Sequence, residues 1–330
     1  MLYLFTFMLA LGIALYFTPI LRAAALRFGI VDRPDGRLKQ QGEPVPYLGG
    51  LAVYLAFLFA LAISPTWTPQ TLGLLLGGTL VLLLGLIDDL GALDPKSKLF
   101  GQAVAVVALL KSGITIELVW LPWWASYSIA ALWLLATCNA FNLIDTMDGL
   151  AGSVGLATCA SLLLVGLVTS EPLIAVSSAG LGGALLGFLR YNWYPAKIYL
   201  GDAGSLFLGL TVGALAMQGS YTKSNTVAAL APAILLGVPL FDMLFVMYVR
   251  RRRGLPILLG SPDHVALRLR KWRLTTAQTA VANAVAAAAL GLAAVAMMFC
   301  DDLGALIVLA CLVVGALGLG LFLKRIDMTL

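Results

Sequence analysis

The chain has 330 residues, of which 61% are hydrophobic and 11% are charged, and its mean hydropathy is +0.98. This composition is far more apolar than that of a soluble globular domain, and it predicts an integral membrane protein. The net charge of +5 is accompanied by no nucleic-acid-binding motif, so we expect no nucleic acid as a partner.

The apolar residues fall into windows close to the roughly 17–25 residues that cross a bilayer as a helix, without the alternation of a membrane β-barrel. The sequence therefore predicts an all-α bundle of about eleven transmembrane helices in a single polytopic domain, 1–330. The first window lacks a basic start and a small-residue cleavage site, so we expect a retained span. The windows are about 2–21, 47–64, 70–87, 99–117, 125–143, 151–168, 172–189, 203–217, 227–249, 277–299 and 303–323.

The distribution of Lys and Arg predicts the orientation, because basic residues are retained in cytoplasmic loops. With the N-terminus outside and the C-terminus in the cytoplasm, 19 of the 21 basic residues fall in inner segments. Only Lys111 and Lys223 fall outside. Several motifs with acidic or polar residues lie on the same predicted inner side.

The first of these motifs ends the third window with the adjacent carboxylates Asp88 and Asp89. Two neighbouring negative charges at an apolar boundary are costly unless a cation shares them. Successive helix positions point about 100° apart, so the natural division is one metal-facing and one substrate-facing carboxylate. A solvated helix cap is the structural alternative.

The second motif ends the fifth window with Asn139, Asn142, Asp145 and Asp148, spaced three residues apart. On one continuous helix this spacing would wrap half way round the axis. We therefore expect the helix to end near Leu143 and a turn permitted by Gly149 to follow, so that the four side chains enter one polar pocket.

The third motif is Gly201-Asp202-Ala203-Gly204-Ser205, preceded by Asn192. The glycines would let the backbone approach a ligand closely. We expect Ser205 to open the eighth helix, with free N–H groups able to hold a phosphate. Helix capping by Asp202 is the alternative.

The remaining candidates surround the most basic loop, 250–275, which contains Asp263, His264 and Arg268. Asp242 lies inside the ninth window, where a carboxylate should face the interior in a buried hydrogen bond or in catalysis. Carboxylates and basic groups at one membrane surface suit a divalent cation and a phosphorylated substrate. Transport fits less well, because a transporter is expected to bind near the midplane.

In combination, the motifs Gly-Leu-Ile-Asp-Asp, Asn-Ala-Phe-Asn-Leu-Ile-Asp-Thr-Met-Asp-Gly-Leu-Ala-Gly and Gly-Asp-Ala-Gly-Ser resemble the polyprenyl-phosphate N-acetylhexosamine-1-phosphate transferase family. The likeness runs from about Asp32 to Asp263 and is greatest to the bacterial branch of undecaprenyl-phosphate N-acetylglucosamine-1-phosphate transferases. It implies Mg²⁺-dependent transfer of a sugar 1-phosphate from a UDP-N-acetylhexosamine to polyprenyl (undecaprenyl) phosphate, which releases UMP and initiates a cell-surface glycan. Mn²⁺ is an alternative metal, and a homodimer is a family-level expectation.

The resemblance also implies roles for residues of this chain and a location at the cytoplasmic face of the inner (plasma) membrane. Loops 22–46, 88–98, 144–150, 190–202 and 250–275 would form the active site. Asp88 and Asp89 would be catalytic toward the lipid phosphate, and Asp202, Asp145 and Asp148 would serve the metal and the nucleotide. Substrate and nucleotide contacts would come from Asn139, Asn142, Asn192, Lys98, Asp263, His264 and Arg268.

Two departures from the family pattern concern substrate selectivity. Members commonly have an Arg and then a His-x-His-His cluster after Ser-Pro-Asp, whereas this chain has His264, Ala266, Arg268 and Leu269 at those positions. Gln41 stands where a His is frequent. Two alternatives remain open: a non-catalytic lipid-binding protein or transporter on the same scaffold, and a phospho-N-acetylmuramoyl-pentapeptide transferase-like activity.

Overall fold

A computed structural model describes residues 1–32, 44–63, 67–91, 93–116, 121–255 and 263–328. The described residues are mainly helical and contain one pair of short antiparallel strands, Val31–Asp32 (β1) and Val45–Pro46 (β2). The helices are Leu2–Phe28 (α1), Gly49–Ala62 (α2), Pro69–Asp89 (α3), Pro95–Lys111 (α4), Trp123–Ile144 (α5), Leu150–Thr169 (α6), Pro172–Asn192 (α7), Gly201–Met217 (α8), Ala231–Leu235 (α9), Gly237–Arg252 (α10), Val265–Trp272 (α11), Thr276–Met297 (α12) and Asp302–Lys324 (α13).

The prediction of an all-α membrane protein is confirmed, and a described helix overlaps each of the eleven windows. Seven described helices are long and apolar enough to cross a membrane, and a bent pair would make eight. The count of eleven and the orientation of the termini stay predictions. Residues 33–43 of the first inner loop, including Gln41, and residues 256–262 lie outside the described residues.

The ends of several helices are fixed by local sequence. Thr68 accepts a hydrogen bond from the Thr71 N–H at the start of α3, and Asp94 accepts two from the first turn of α4, where Pro95 occupies the first position. Thr275 and Gln278 form a reciprocal capping box at α12. These caps fix where α3, α4 and α12 begin.

Three buried threonines inside the apolar bundle form hydrogen bonds within their own helices. Thr18, Thr158 and Thr169 each donate to the carbonyl four residues earlier, at 2.6–2.9 Å. An unpaired hydroxyl would be costly in an apolar environment, and this local bond removes that cost without a partner helix.

The core of the bundle is α7, which packs between α1 and α6, while α13 lies at the periphery. In the most apolar window of α7, 83% of the residues are buried, against 6% in α13. Apolar side chains of α13 are therefore exposed to the surroundings, as expected for a helix that faces lipid.

The ninth window was predicted as one span, but the chain there is broken. A 3₁₀ turn, Val227–Leu230, leads into α9, and the direction changes by 80° between this segment and α10. Gly237 and Pro239 lie just after the bend, and Pro239 donates no backbone hydrogen bond to the preceding turn. A broken span or a re-entrant segment replaces the straight helix.

Candidate active site

A polar cavity of about 520 Å³ lies where α3 ends and α8 begins. The loop from α5 to α6, the loop from α7 to α8 and the β1–β2 pair also reach it, so these chain ends lie on one side of the bundle. The lining residues include Asp32, Tyr47, Asp88, Asp89, Asp145, Asp148, Asn192, Tyr199 and Asp202. The motifs of three separate windows thus come together, as the pattern of polar helix ends predicts.

Lys98 places a positive charge beside two of these carboxylates. Its ammonium group is 2.7 Å from Asp88 Oδ2 and 2.6 Å from Asp202 Oδ2, and it donates to Asn142 Oδ1 at 3.0 Å. Asn142 in turn donates to Asp202 Oδ1 at 2.8 Å. The side chains of α3, α4, α5 and α8 are therefore joined at one point by charge-assisted hydrogen bonds.

Asp89 contacts the backbone of α8. Its two carboxylate oxygens accept the N–H groups of Asp202 at 2.8 Å and Ala203 at 3.2 Å. The expectation that α8 begins at Ser205 with free N–H groups is wrong, because α8 begins at Gly201 and its first turn is already occupied by Asp89. Favourable interaction of a carboxylate with a helix N-terminus explains this pairing.

The glycines of the third motif serve helix packing. Gly201 has φ +74°, and a Cβ there would lie 2.6 Å from Asp89 Oδ2. A Cβ on Gly204 would lie 2.5 Å from Gly50 Cα, at the contact of α8 with α2. The glycines therefore do allow a close backbone approach, which Gly201 makes to the Asp89 carboxylate and Gly204 makes to α2.

The turn after α5 has the predicted geometry. The helix ends at Ile144, and Gly149 adopts φ +72° before α6 begins. Asp145 lines the cavity, and among the described residues no group donates a hydrogen bond to its carboxylate. Burial, followed by the negative charges of Asp202, Asp89 and Asp148, raises the pKa of Asp145 to about 8.

Asp148 and Asn192 fasten the two loops beside the cavity. Asp148 Oδ2 accepts the Ala196 N–H at 2.9 Å, and Asn192 Oδ1 accepts the Gly149 N–H at 3.1 Å. Burial raises the pKa of Asp148, and this shift is opposed by the Ala196 hydrogen bond and by the charge of Arg270. Arg270, an exposed residue of α11, therefore contributes positive potential to this rim of the cavity.

Asn139 is separated from the other predicted site residues. It lies one turn before Asn142 on α5, where it exchanges hydrogen bonds with Gln102 of α4 at 2.7 and 3.2 Å. It does not line the polar cavity as described. Its assignment to substrate binding stays a prediction.

Asp263, His264 and Arg268 form a second, buried cluster with Asp242. His264 Nδ1 is 2.7 Å from Asp242 Oδ2, and the Val265 N–H donates to Asp242 Oδ1 at 2.6 Å. Arg268 Nη2 donates to Asp263 Oδ1 at 2.6 Å. Asp242 thus faces the interior as expected. The main polar contacts of Asp263, His264 and Arg268 are with protein groups. Their assignment to substrate binding stays a prediction.

Three titratable residues of the cavity lining are absent from the site residues predicted from the sequence: Asp32, Tyr47 and Tyr199. The Tyr199 N–H donates to the Pro46 carbonyl at 2.9 Å, and the two tyrosine rings lie 6.3 Å apart. Burial raises the pKa of both phenols, to about 12 for Tyr199. The sequence signal for Asp32 and Tyr199 is their place in loops 22–46 and 190–202, which are predicted to form the active site, and Tyr47 directly follows the first of these loops.

The donor atoms of the cavity fit a hard divalent cation. Mg²⁺ is commonly held by one or two carboxylates, together with waters and substrate phosphates. Within the described ranges no group of three acidic, His or Cys side chains is close enough to hold a metal by itself. The carboxylate of Asp145, without a donor among described residues, supplies the kind of oxygen that such a shared site needs.

We predict that Asp145→Asn raises thermal stability more at pH 8 than at pH 5 in the presence of EDTA. Because the folded pKa is raised to about 8 from an ordinary value of about 3.9, the folded protein retains a proton that the unfolded chain releases in this interval. Wild-type stability therefore falls as pH rises, and asparagine removes that loss. Thermal denaturation of the detergent-solubilised wild type and variant measures the difference in Tm at each pH. An equal difference at pH 5 and pH 8 would contradict the prediction.

Comparison with known proteins gives a consistent result. Residues 71–220 match the model of glycosyl transferase family 4. A probable undecaprenyl-phosphate N-acetylglucosaminyl 1-phosphate transferase of Bacillus subtilis (strain 168) is 32% identical over 284 residues, which is 82% of this chain and 77% of the relative. A decaprenyl-phosphate N-acetylglucosaminephosphotransferase of Mycolicibacterium smegmatis is 32% identical over 78% of this chain and 73% of the relative. The undecaprenyl-phosphate alpha-N-acetylglucosaminyl 1-phosphate transferase of Salmonella typhi is 28% identical over 82% and 77%.

Proposed function

This chain belongs to glycosyl transferase family 4, and we propose that it transfers an N-acetylhexosamine 1-phosphate from a UDP-sugar to a polyprenyl phosphate. A phosphate oxygen of the lipid attacks the phosphorus that carries the sugar, and the bond from that phosphorus to the oxygen of UMP breaks. The products are UMP and a polyprenyl-diphosphate sugar. The names of the relatives make UDP-N-acetylglucosamine the first donor to test.

The observation that carries this proposal is the position of Lys98 between Asp88 and Asp202, two carboxylates that line the polar cavity. Phosphoryl transfer needs reactants held in line and charge stabilised more than it needs covalent chemistry. A lysine fixed by two carboxylates and Asn142 supplies a preorganised positive charge for the diphosphate.

The two neighbouring aspartates have different surroundings, and we assign them different roles. Asp88 forms an ion pair with Lys98, so its carboxylate is placed beside the group that would bind phosphate. Both oxygens of Asp89 accept backbone N–H groups of α8. We therefore assign the lipid phosphate to Asp88, and we treat Asp89 as a positioning residue that sets the place of Asp202.

Mg²⁺, with Mn²⁺ as the alternative, is the proposed cofactor, held by Asp202 with Asp145 or Asp148. When bound it would neutralise charge on the diphosphate and on the departing UMP. Asn142 holds the Asp202 carboxylate by a hydrogen bond, and Asn192 holds the backbone of the loop that carries Asp148 by accepting the Gly149 N–H. For Asp263, His264 and Arg268 we propose an indirect effect on substrate through the placement of α11 and Arg270.

The proposed setting is the inner (plasma) membrane, with eleven spans, the N-terminus outside and the cavity open to the cytoplasm. The distribution of Lys and Arg supports this orientation. It would also bring a cytoplasmic nucleotide sugar to the same face as the lipid phosphate. Cysteine accessibility at the N-terminus and at Arg251 would test the arrangement.

The reaction is tested with purified protein, Mg²⁺, polyprenyl phosphate and a panel of UDP-sugars, with UMP release as the readout. We expect turnover with a UDP-N-acetylhexosamine. Turnover only with the UDP-N-acetylmuramoyl-pentapeptide would support the other enzyme branch. Binding without turnover for every donor would instead support the non-catalytic scaffold and overturn the proposal.

A further inference from the structure

A second, apolar groove lies between α6, α7 and α12, apart from the carboxylate cavity. It has a volume of about 670 Å³, and its walls include Leu156, Ala160, Leu186, Leu189 and Ala284. The lining of α6 runs from Ser153 to Ala160, a distance of about 10 Å along the helix. Since α6, α7 and α12 all have the length and hydropathy of membrane spans, the groove lies among hydrocarbon chains.

One end of the groove carries a cation and an aromatic ring. Arg190, in the last turn of α7, is exposed, and no acidic side chain of the described residues forms an ion pair with it. Trp193, which ends the helix, is 38% exposed and lines the same end. Arginine and tryptophan at the end of a membrane helix mark the level of the lipid headgroups.

We propose that this groove binds an anionic membrane phospholipid, with one acyl chain between the three helices and its phosphate at Arg190. The apolar walls fit the chain, and the unpaired guanidinium complements the phosphate charge. The polyprenyl phosphate substrate is a poorer occupant. Its phosphate must reach Asp88 and Lys98 on α3 and α4, and among the described residues neither of these helices contributes a side chain to the groove walls.

The groove is in direct contact with the loop that carries two cavity carboxylates. The Trp193 ring lies against Gly149, where a Cβ would be 3.1 Å from the ring, and Gly149 follows Asp145 and Asp148. A lipid that packs on Trp193 therefore stabilises the wall shared with the polar cavity. We infer that bound anionic lipid orders this wall.

Native mass spectrometry of the full chain tests the site. The protein is incubated with 1-palmitoyl-2-oleoyl phosphatidylglycerol or the matching phosphatidylcholine, and retained lipid is counted. We expect preferential retention of phosphatidylglycerol and an approximately fivefold loss of it in Arg190→Gln, the size expected for one interfacial basic residue. Ala160→Phe, which fills the groove and leaves the charge, should lower the retention of both lipids.

Arg27→Gln is the matched control, because Arg27 is exposed in the last turn of α1 on the same side of the bundle. The Arg22 side chain donates to the Lys197 carbonyl, which joins the end of α1 to the loop after α7. An equal loss of phosphatidylglycerol retention in Arg27→Gln and Arg190→Gln would overturn the proposed site. So would displacement of phosphatidylglycerol by equimolar polyprenyl phosphate. If Ala160→Phe fails to fold, Ala284→Phe narrows the groove from α12. Because the readout is binding, failure here leaves the proposed reaction unaffected.

Discussion

Replacing Asp202 by asparagine is expected to lower the rate of UMP release by about 10²–10³-fold, on the scale of losing one preorganised electrostatic contact. The Asp202 carboxylate accepts hydrogen bonds from Lys98 at 2.6 Å and Asn142 at 2.8 Å. Asparagine has nearly the same shape, so the fold and membrane insertion should persist. However, it removes the negative charge that holds Lys98 in place and that the proposed metal requires.

Glu171→Gln is the control, because it removes one negative charge at the opposite end of α7, outside the cavity. Size-exclusion profiles and thermal transitions establish that both variants are folded, and UMP release is then measured at saturating donor. Near-wild-type turnover in Asp202→Asn would remove Asp202 from the reaction. Equal loss in Glu171→Gln would indicate a general effect of charge.

We predict that Lys98→Met has a loss of activity similar to that of Asp202→Asn. The double variant should then lose less than the product of the two single effects, because both changes disrupt the same ion pair. The same assay measures this. Multiplicative losses would indicate that the two residues act independently.

Much of the cavity was predictable because its polar residues end long apolar windows. A carboxylate or amide at such an edge stands out against its neighbours, as with Asp88, Asn142 and Asp145. The three-residue spacing also predicted that α5 must stop before Asp145, and the helix does end at Ile144. In a membrane protein, therefore, composition locates helix ends well, and helix ends are where this site lies.

The pairings between distant segments were not predictable in the same way. Tyr199 meets Pro46 across more than 150 residues of chain, and no local pattern in either segment specifies that contact. The start of α8 was also misplaced, because the acceptor that satisfies its first N–H groups is Asp89, on another helix. Backbone groups satisfied by tertiary partners leave no signature at their own position in the sequence.

Arg268→Met is expected to destabilise the protein by about 3–5 kcal/mol, as removal of one partner from a buried ion pair does. The Arg268 side chain is 1% exposed. It donates to Asp263 and to the carbonyls of Leu323 and Ile326 at the end of α13, and it lies over the Phe245 ring. Methionine fills much of the volume, but the Leu323 and Ile326 carbonyls lose this donor, and Asp263 loses its buried ion pair while it keeps the one with Arg253.

Arg270→Met is the matched control, since it removes the same charge from the exposed side of the same short helix. Its effect on the free energy of unfolding should stay within about 0.5 kcal/mol, while its position near Asp148 predicts weaker donor binding. Thermal denaturation and the KM for the UDP-sugar distinguish the two variants. If Arg268→Met left stability unchanged but abolished donor binding, then Arg268 would contact substrate directly. The loss of stability that we expect would instead mean that this basic loop acts by fixing α11 against α10 and α13, with Arg270 left free at the cavity rim.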